Sequence, residues 1–164
     1  MSKTEANLKA ALSGESQANR KYLAFAKKAD EEGHPQVAKL FRAAAEAETV
    51  HAMTYLRLLG EINSTEDNIR AGISGETHEF KEMYPEFVKE AEAEGNTHAK
   101  VAFGGALKTE AGHAALYQKA LESIDNGSNV DYHVCQTCGW TAEDEAPERC
   151  PVCGMPRKQF KKIE

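Results

Sequence analysis

The chain has 164 residues, a net charge of -6 and an isoelectric point near 5.6, enough length for one domain with a real core plus a small appendage. The acidic balance argues against nucleic acid as the main partner, and no apolar run approaches the roughly 20 residues that span a bilayer. The opening MSKTEANLKAALSGES is amphipathic and polar, not a charged-then-apolar leader, so a soluble, cytoplasmic protein is expected.

The first predicted helix runs from about residue 3 to 31, with Leu8, Leu12, Glu15, Asn19, Tyr22, Ala26 and Ala29 forming a seam in steps of three and four. Gly33 suits the residue just past its end. Pro35 opens a second helix to Leu59, whose seam is Val37, Phe41, Ala44, Glu48, His51, Tyr55 and Leu58, and Gly60 stops it. Residues 60–66 read as a polar connection starting a long crossover. Residues 67–74 are helical in character, but Gly72 and Gly75 predict a short helix or a break. A third long helix follows over about 75–94, with Glu76, Glu79, Phe80, Met83 and Phe87; Pro85 inside it should kink it or open its hydrogen-bond ladder. Gly95 ends it and Asn96 caps a fourth helix with seam Ala99, Phe103, Ala106, Glu110, His113, Tyr117, Ala120 and Ile124. Asp125-Asn126-Gly127-Ser128 reads as a stop and linker. The expected architecture is therefore an all-α four-helix bundle over residues 1–127, built from two hairpins with a longer crossover between them, and a separate tail over residues 128–164.

The two hairpins are copies. Phe41, Ala44, Glu48, His51 and Tyr55 recur 62 residues later as Phe103, Ala106, Glu110, His113 and Tyr117. Residues 7–16, NLKAALSGES, recur as NIRAGISGET over 68–77, which aligns Glu15 with Glu76 at a shift of 61. A fixed-offset repeat identifies a duplicated supersecondary unit.

Each copy places a Glu-x-x-His pair in an apolar stripe, and residues three apart share a helix face. A lone pair of this kind is commonly a solvated surface feature. Here two pairs stand in register and face further glutamates. Glu15, Glu48, His51, Glu76, Glu79, Glu110 and His113 form a set of seven candidate ligands. Burying five carboxylates without partners costs several kcal/mol each, and two divalent cations bridged by glutamate offset that cost. A Glu from each of two helices plus Glu-x-x-His from each of the other two is the donor rule of ferritin-like di-iron bundles; Glu79 is one carboxylate beyond it. Tyr22 and Tyr84 either donate to a ligating carboxylate or are ordinary core tyrosines. His34, His78, His98 and His133 lack partners at ligand spacing and read as surface residues.

All four cysteines lie in the tail, as Cys135-x-x-Cys138 and Cys150-x-x-Cys153 with 11 residues between the pairs. In a reducing compartment this reads as metal ligation, not disulfides. Four thiolates suit zinc or iron equally by spacing; beside a two-electron site, iron makes an electron-delivery unit. The tail is too short to fold on apolar burial alone, so the metal must supply much of its stability, with Tyr132, Val134, Trp140 and Phe160 as its mini-core. Gly139 and Gly154 follow the second cysteine of each pair, where backbone amides can turn toward sulfur.

GESQANRKY, EAETVH, GETHEFKEMYPEF, KTEAGH, CQTCG and CPVCG together resemble the rubrerythrin family, over essentially the whole chain. The resemblance implies a ferritin-like di-iron bundle followed by a rubredoxin-like iron domain. It implies two irons on the seven positions above and one on Cys135, Cys138, Cys150 and Cys153, with zinc a possible substitute. It further implies a peroxidase that reduces hydrogen peroxide to water, in which one iron shifts between His51 and Glu79 with redox state. Tyr22 and Tyr84 match the family's tyrosines next to the ligands. Members commonly form head-to-tail homodimers, some with exchanged helices. Electrons come from an external donor, a rubredoxin or an NAD(P)H-dependent reductase, since no Gly-x-Gly-x-x-Gly motif is present. Two departures stand out: His78 sits where an aromatic such as tyrosine is common, and the spacing between the cysteine pairs is slightly short. Two alternatives remain at this point, a ferroxidase or iron-storage protein, favoured by a large cage, and a binding module whose tail holds zinc.

Overall fold

The computed structural model describes residues 2–126 and 129–164. The expected boundary at residues 127 and 128 lies outside the described residues. The first helix, α1, spans Lys3–Glu31; the Ser2 hydroxyl accepts from the Glu5 amide at 3.1 Å at its start, and Gly33 takes the left-handed conformation (φ +79°) past its end. α2 spans Pro35–Leu59 and closes on Gly60 at φ +69°. Both follow the expected bounds.

The third helical segment departs from expectation. α3 runs Thr65–His78 without a break at Gly72 or Gly75, so only a short connection separates it from α2. The reason is tertiary. A Cβ on Gly72 would sit 3.2 Å from Cε2 of Tyr117, so this glycine admits a ring and does not end a helix. The irregularity lies one turn later. Glu79–Met83 form a π turn, in which the Tyr84 amide donates to the Glu79 carbonyl, and α4 spans Tyr84–Ala93. Pro85, at the start of α4, has no amide to give, and the wider turn absorbs the gap in the ladder.

The repeat explains why the π turn is there. Through Glu15/Glu76 the copies correspond at a shift of 61; from Tyr22/Tyr84 through Phe25/Phe87 and Gly33/Gly95 the shift is 62. The second copy therefore carries one extra residue between positions 76 and 84, and a π turn is how an α-helix houses one extra residue. Past that point the copies match in structure. Tyr22, Phe25 and Phe41 form a three-ring cluster with centroids 5.5–6.4 Å apart. Tyr84, Phe87 and Phe103, 62 positions on, form its counterpart at 5.4–6.3 Å.

α5 spans Thr97–Glu122, capped by the Asn96 side chain, which accepts from the Ala99 amide at 3.1 Å. The tail is a three-stranded antiparallel sheet in the order β2-β1-β3, with β1 Tyr132–Cys135, β2 Thr141–Glu143 and β3 Phe160–Ile163. Trp140 meets Phe160 edge to face at 6.1 Å, as expected of its mini-core.

The chain divides into two compact units between Asn63 and Ser64. In the first, α1 lies along α2 around Ala26, Ala29, Ala38 and the half-buried Phe41. Asn19 is buried at the same interface, its amide donating to the Ala45 carbonyl at 2.7 Å and to the Thr49 hydroxyl at 2.8 Å. Two seam residues are not core: Val37 is 46% exposed and Leu58 65%, because a helix pair covers only one flank of each helix. In the second unit α3, the π turn and α4 pack along α5, and the small sheet is seated on α5 as well.

Candidate metal centres

Among the described residues three groups of donor atoms converge, each within 4.8 Å: Glu15, Glu48 and His51; Glu76, Glu110 and His113; and Cys135, Cys138, Cys150 and Cys153. In the first, the helix pitch sets Glu48 and His51 on one face of α2, with Glu48 Oε2 2.8 Å from His51 Nδ1, while α1 brings Glu15 Oε1 to 3.9 Å. The second repeats this from α5 and α3, with Glu110 Oε2 at 2.8 Å and Glu76 Oε2 at 3.6 Å from His113 Nδ1. In both, Nδ1 and not Nε2 faces the carboxylates. Two donors each about 2.1 Å from one ion and at right angles lie about 3.0 Å apart, so both Glu–His pairs have the span to chelate a single cation.

The copies differ in environment. The His51 side chain is 52% exposed and that of His113 28%. Burial holds the Glu76 carboxyl above its ordinary range; His113 opposes the shift and the neighbouring Glu110 reinforces it. Burial, with the charges of Glu110, Glu79 and Glu76, likewise raises the Tyr84 hydroxyl. Tyr84 thus lies within the field of three carboxylates. Among the described residues neither it nor Tyr22 hydrogen-bonds to a carboxylate; the Tyr22 ring is held in its aromatic cluster.

Glu79 does not join the second triad. Glu79 is the first residue of the π turn, where the regular helical rotation that pairs residues three apart ends. His34, His78 and His98 are exposed as expected. His133 is not a surface residue: β1 half-buries it and shields its Nδ1, which has no partner.

In the cysteine site, the Sγ atoms of Cys135 and Cys153 are 3.6 Å apart and those of Cys138 and Cys150 are 3.5 Å apart. The edge of a sulfur tetrahedron around a metal at 2.3 Å is about 3.8 Å, so these thiols fit one tetrahedral ion with little movement. The knuckles are alike: the Gly139 amide donates to the Cys135 carbonyl at 2.9 Å and the Gly154 amide to the Cys150 carbonyl at 2.8 Å. Both glycines have positive φ, +84° and +74°, and the amides that follow them, of Trp140 and Met155, turn toward sulfur. Burial works against ionisation of Cys135, yet the amides of Thr137 and Cys138 and the neighbouring thiols bring it down to about 7. Burial pushes Cys138 and Cys153 up. A bound cation deprotonates such thiols.

Comparison with known proteins decides what this combination is. The profile of the rubrerythrin family matches residues 6–121, and that of the rubrerythrin rubredoxin-like domain matches residues 133–161. The chain belongs to the rubrerythrin family. It is 38% identical to nigerythrin of Nitratidesulfovibrio vulgaris, over 94% of this chain and 83% of that protein. It is 34% identical to rubrerythrin of Porphyromonas gingivalis, over 99% and 91%. A solved structure of nigerythrin in a fully reduced, all-ferrous state is similar to it, with a TM-score of 0.61 at 36% identity, covering 99% of this chain and 88% of that one. The fold is accordingly ferritin-like with a rubredoxin-like tail, and both kinds of donor set in this chain suit iron, carboxylate and imidazole in the helices and four sulfurs in the tail. No described helix is long and apolar enough to cross a membrane.

Several residues at these sites escape a reading of sequence alone. Asn19, Thr109 and Thr141 bear on them, yet none belongs to a ligand motif. Asn19 had a signal, a polar residue on an apolar seam. The π turn had one too, in the change of shift from 61 to 62. Thr109 and Thr141 had none, because their partners lie 29 and 28 residues away.

Proposed function

We propose that this protein is a peroxidase that reduces hydrogen peroxide to water at a di-iron centre and draws its electrons through the cysteine-bound iron. The observation that carries the reading is the pairing, in one chain, of two Glu/Glu/His triads with a four-thiolate tetrahedron. Glu15, Glu48, His51, Glu76, Glu110 and His113 are the proposed ligands of the iron pair, with Glu79 and His51 as redox-dependent alternatives. Cys135, Cys138, Cys150 and Cys153 are the proposed ligands of the third iron, in a tail beginning near residue 128. Iron in the triads would supply the two electrons that break the O–O bond.

The chain's own residues handle the rest. Five carboxylates carry a charge between that of a diferrous and that of a diferric pair, in magnitude. One peroxide takes two electrons and two protons to give two waters, so protons must arrive with the electrons. A ligating or nearby carboxylate such as Glu79 is the proposed proton carrier. Tyr84 sits in the same field, and its raised hydroxyl keeps its proton. Cys135, Cys138, Cys150 and Cys153 would hold an iron able to pass single electrons from an external donor, a rubredoxin or a nicotinamide-dependent reductase, and a homodimer is the proposed working form.

Substitution Cys150→Ser tests the relay by removing one of the two buried thiols. Steady-state turnover with the physiological donor should be lost. Pre-reduced helical iron should still consume one equivalent of peroxide in an anaerobic pulse, followed by visible spectroscopy. Full steady-state turnover in this variant would sink the relay, and faster oxidation by oxygen than by peroxide would point to an oxidase.

A further inference from the structure

The first cysteine knuckle is seated on one stripe of α5. Thr109, 2% exposed, donates from Oγ1 to the Cys138 carbonyl at 3.0 Å. Gly105 and Gly112 leave room for the knuckle: a Cβ on the first would lie 3.9 Å from Cys138 Cβ, and on the second 3.8 Å from Trp140 Nε1. At the end of this stripe Thr141, the first residue of β2, places its Oγ1 3.1 Å from His113 Nε2.

One assignment of protons satisfies both contacts of this hydroxyl. The Thr141 hydroxyl has one hydrogen, and the Gly139 carbonyl, which can only accept, stands 3.2 Å from its oxygen; with the hydrogen there, both contacts are satisfied at once. Toward His113 the oxygen is therefore an acceptor, and His113 Nε2 carries the hydrogen. This is the arrangement in which the Nδ1 lone pair is left for the space shared with Glu76 and Glu110. It also fixes the plane of the ring. The corresponding His51 has no Nε2 partner among the described residues and is more exposed.

We infer that Thr141 is a positioning residue: the rubredoxin-like tail reaches across with this hydroxyl to set the tautomer and ring orientation of His113, so that only the second copy's histidine is held by the electron-delivering domain. A continuous path then runs from the Cys138 knuckle through the Gly139 carbonyl and the Thr141 hydroxyl to the His113 ring. Partners that hold the far nitrogen of a ligating histidine commonly affect metal affinity by 10–100-fold. The inference rests on His113 being a metal ligand, as proposed above.

The test compares Thr141→Val, which keeps the shape and removes the hydroxyl, with Thr141→Ser, which keeps the hydroxyl. Cobalt(II) is titrated into protein whose cysteine site is already filled, and the ring N–H protons of the cobalt-loaded protein are observed by NMR. Thr141→Val should weaken binding of one cobalt about tenfold, and one of the two histidine N–H signals should shift and exchange faster with water. Thr141→Ser should stay within about twofold of the parent, on the same scale. Unchanged affinity and N–H signals in Thr141→Val overturn the inference. So does an equal loss in both variants, since the hydroxyl would then be irrelevant. If the parent itself binds no cobalt in the helical unit, it is the ligand assignment that fails.

Discussion

Asn19 offers a direct test of how the first triad is held together. It lies one helical turn after Glu15 on α1 and donates two hydrogen bonds to α2, to the Ala45 carbonyl and the Thr49 hydroxyl. These tie the two helices at the level of Glu48 and His51. Each such bond contributes about 0.5–1.5 kcal/mol net, so Asn19→Ala should lose about 1–3 kcal/mol. Two details move the figure within that range. The Asn19 Oδ1 is buried with no partner, so removing it relieves a penalty. Thr49 keeps its own bond to the Ala45 carbonyl at 3.2 Å, so no orphaned hydroxyl hydrogen remains. A loss near the middle, about 2 kcal/mol, is expected, equivalent to roughly 4–8 °C in Tm for a chain of this size. The assay is thermal unfolding of metal-free protein by far-ultraviolet circular dichroism, at one fixed protein concentration. Thr49→Val, which removes one of the two acceptors, should cost less than Asn19→Ala, and the double variant little more than Asn19→Ala alone. A Tm for Asn19→Ala within one degree of the parent, or full additivity of the two substitutions, would refute the account of Asn19 as the tie between α1 and α2.

Glu76 gives a pH prediction. Its folded-state pKa is raised by burial, so in metal-free protein its contribution to stability is present below the carboxyl's ordinary range and lost as pH rises through the folded value. Metal-free Glu76→Gln should therefore be no less stable than the parent at pH 7 and flatter in its pH dependence between about pH 4 and 7; denaturant melts across that window check it, and a variant less stable at pH 7 than the parent would contradict it. Gly139→Ala forces a side chain onto φ +84°, at a cost of about 1–2 kcal/mol, and should lower the guanidinium midpoint for loss of the cysteine-iron absorption while the helical signal melts as before. Equal midpoints for that absorption in variant and parent would mean the knuckle does not need the left-handed turn.

Much of this protein is legible in the chain. The repeat shows two hairpins, and the caps Asn96, Gly33 and Gly60 mark helix ends because their chemistry is local. Glu48/His51 and Glu110/His113 declare themselves because a spacing of three is a helix face whatever surrounds it, and the two Cys-x-x-Cys pairs mark a metal knuckle in the same way. The misreadings have a common cause. Gly72 looks like a breaker until the Tyr117 ring is seen to need its space. Val37 and Leu58 look like core until the hairpin is seen to cover only one flank.

The ligand types, their duplication and the four-sulfur site were thus determined by sequence alone, since each depends on spacings within one helix or one turn. Tertiary structure alone decided that Nδ1 faces the carboxylates, that Asn19 ties α1 to α2, and that Thr109 and Thr141 seat the cysteine knuckle on α5. The contacts of Asn19, Thr109 and Thr141 join residues 26 to 30 positions apart, and no local periodicity encodes a hydrogen bond that only packing brings together.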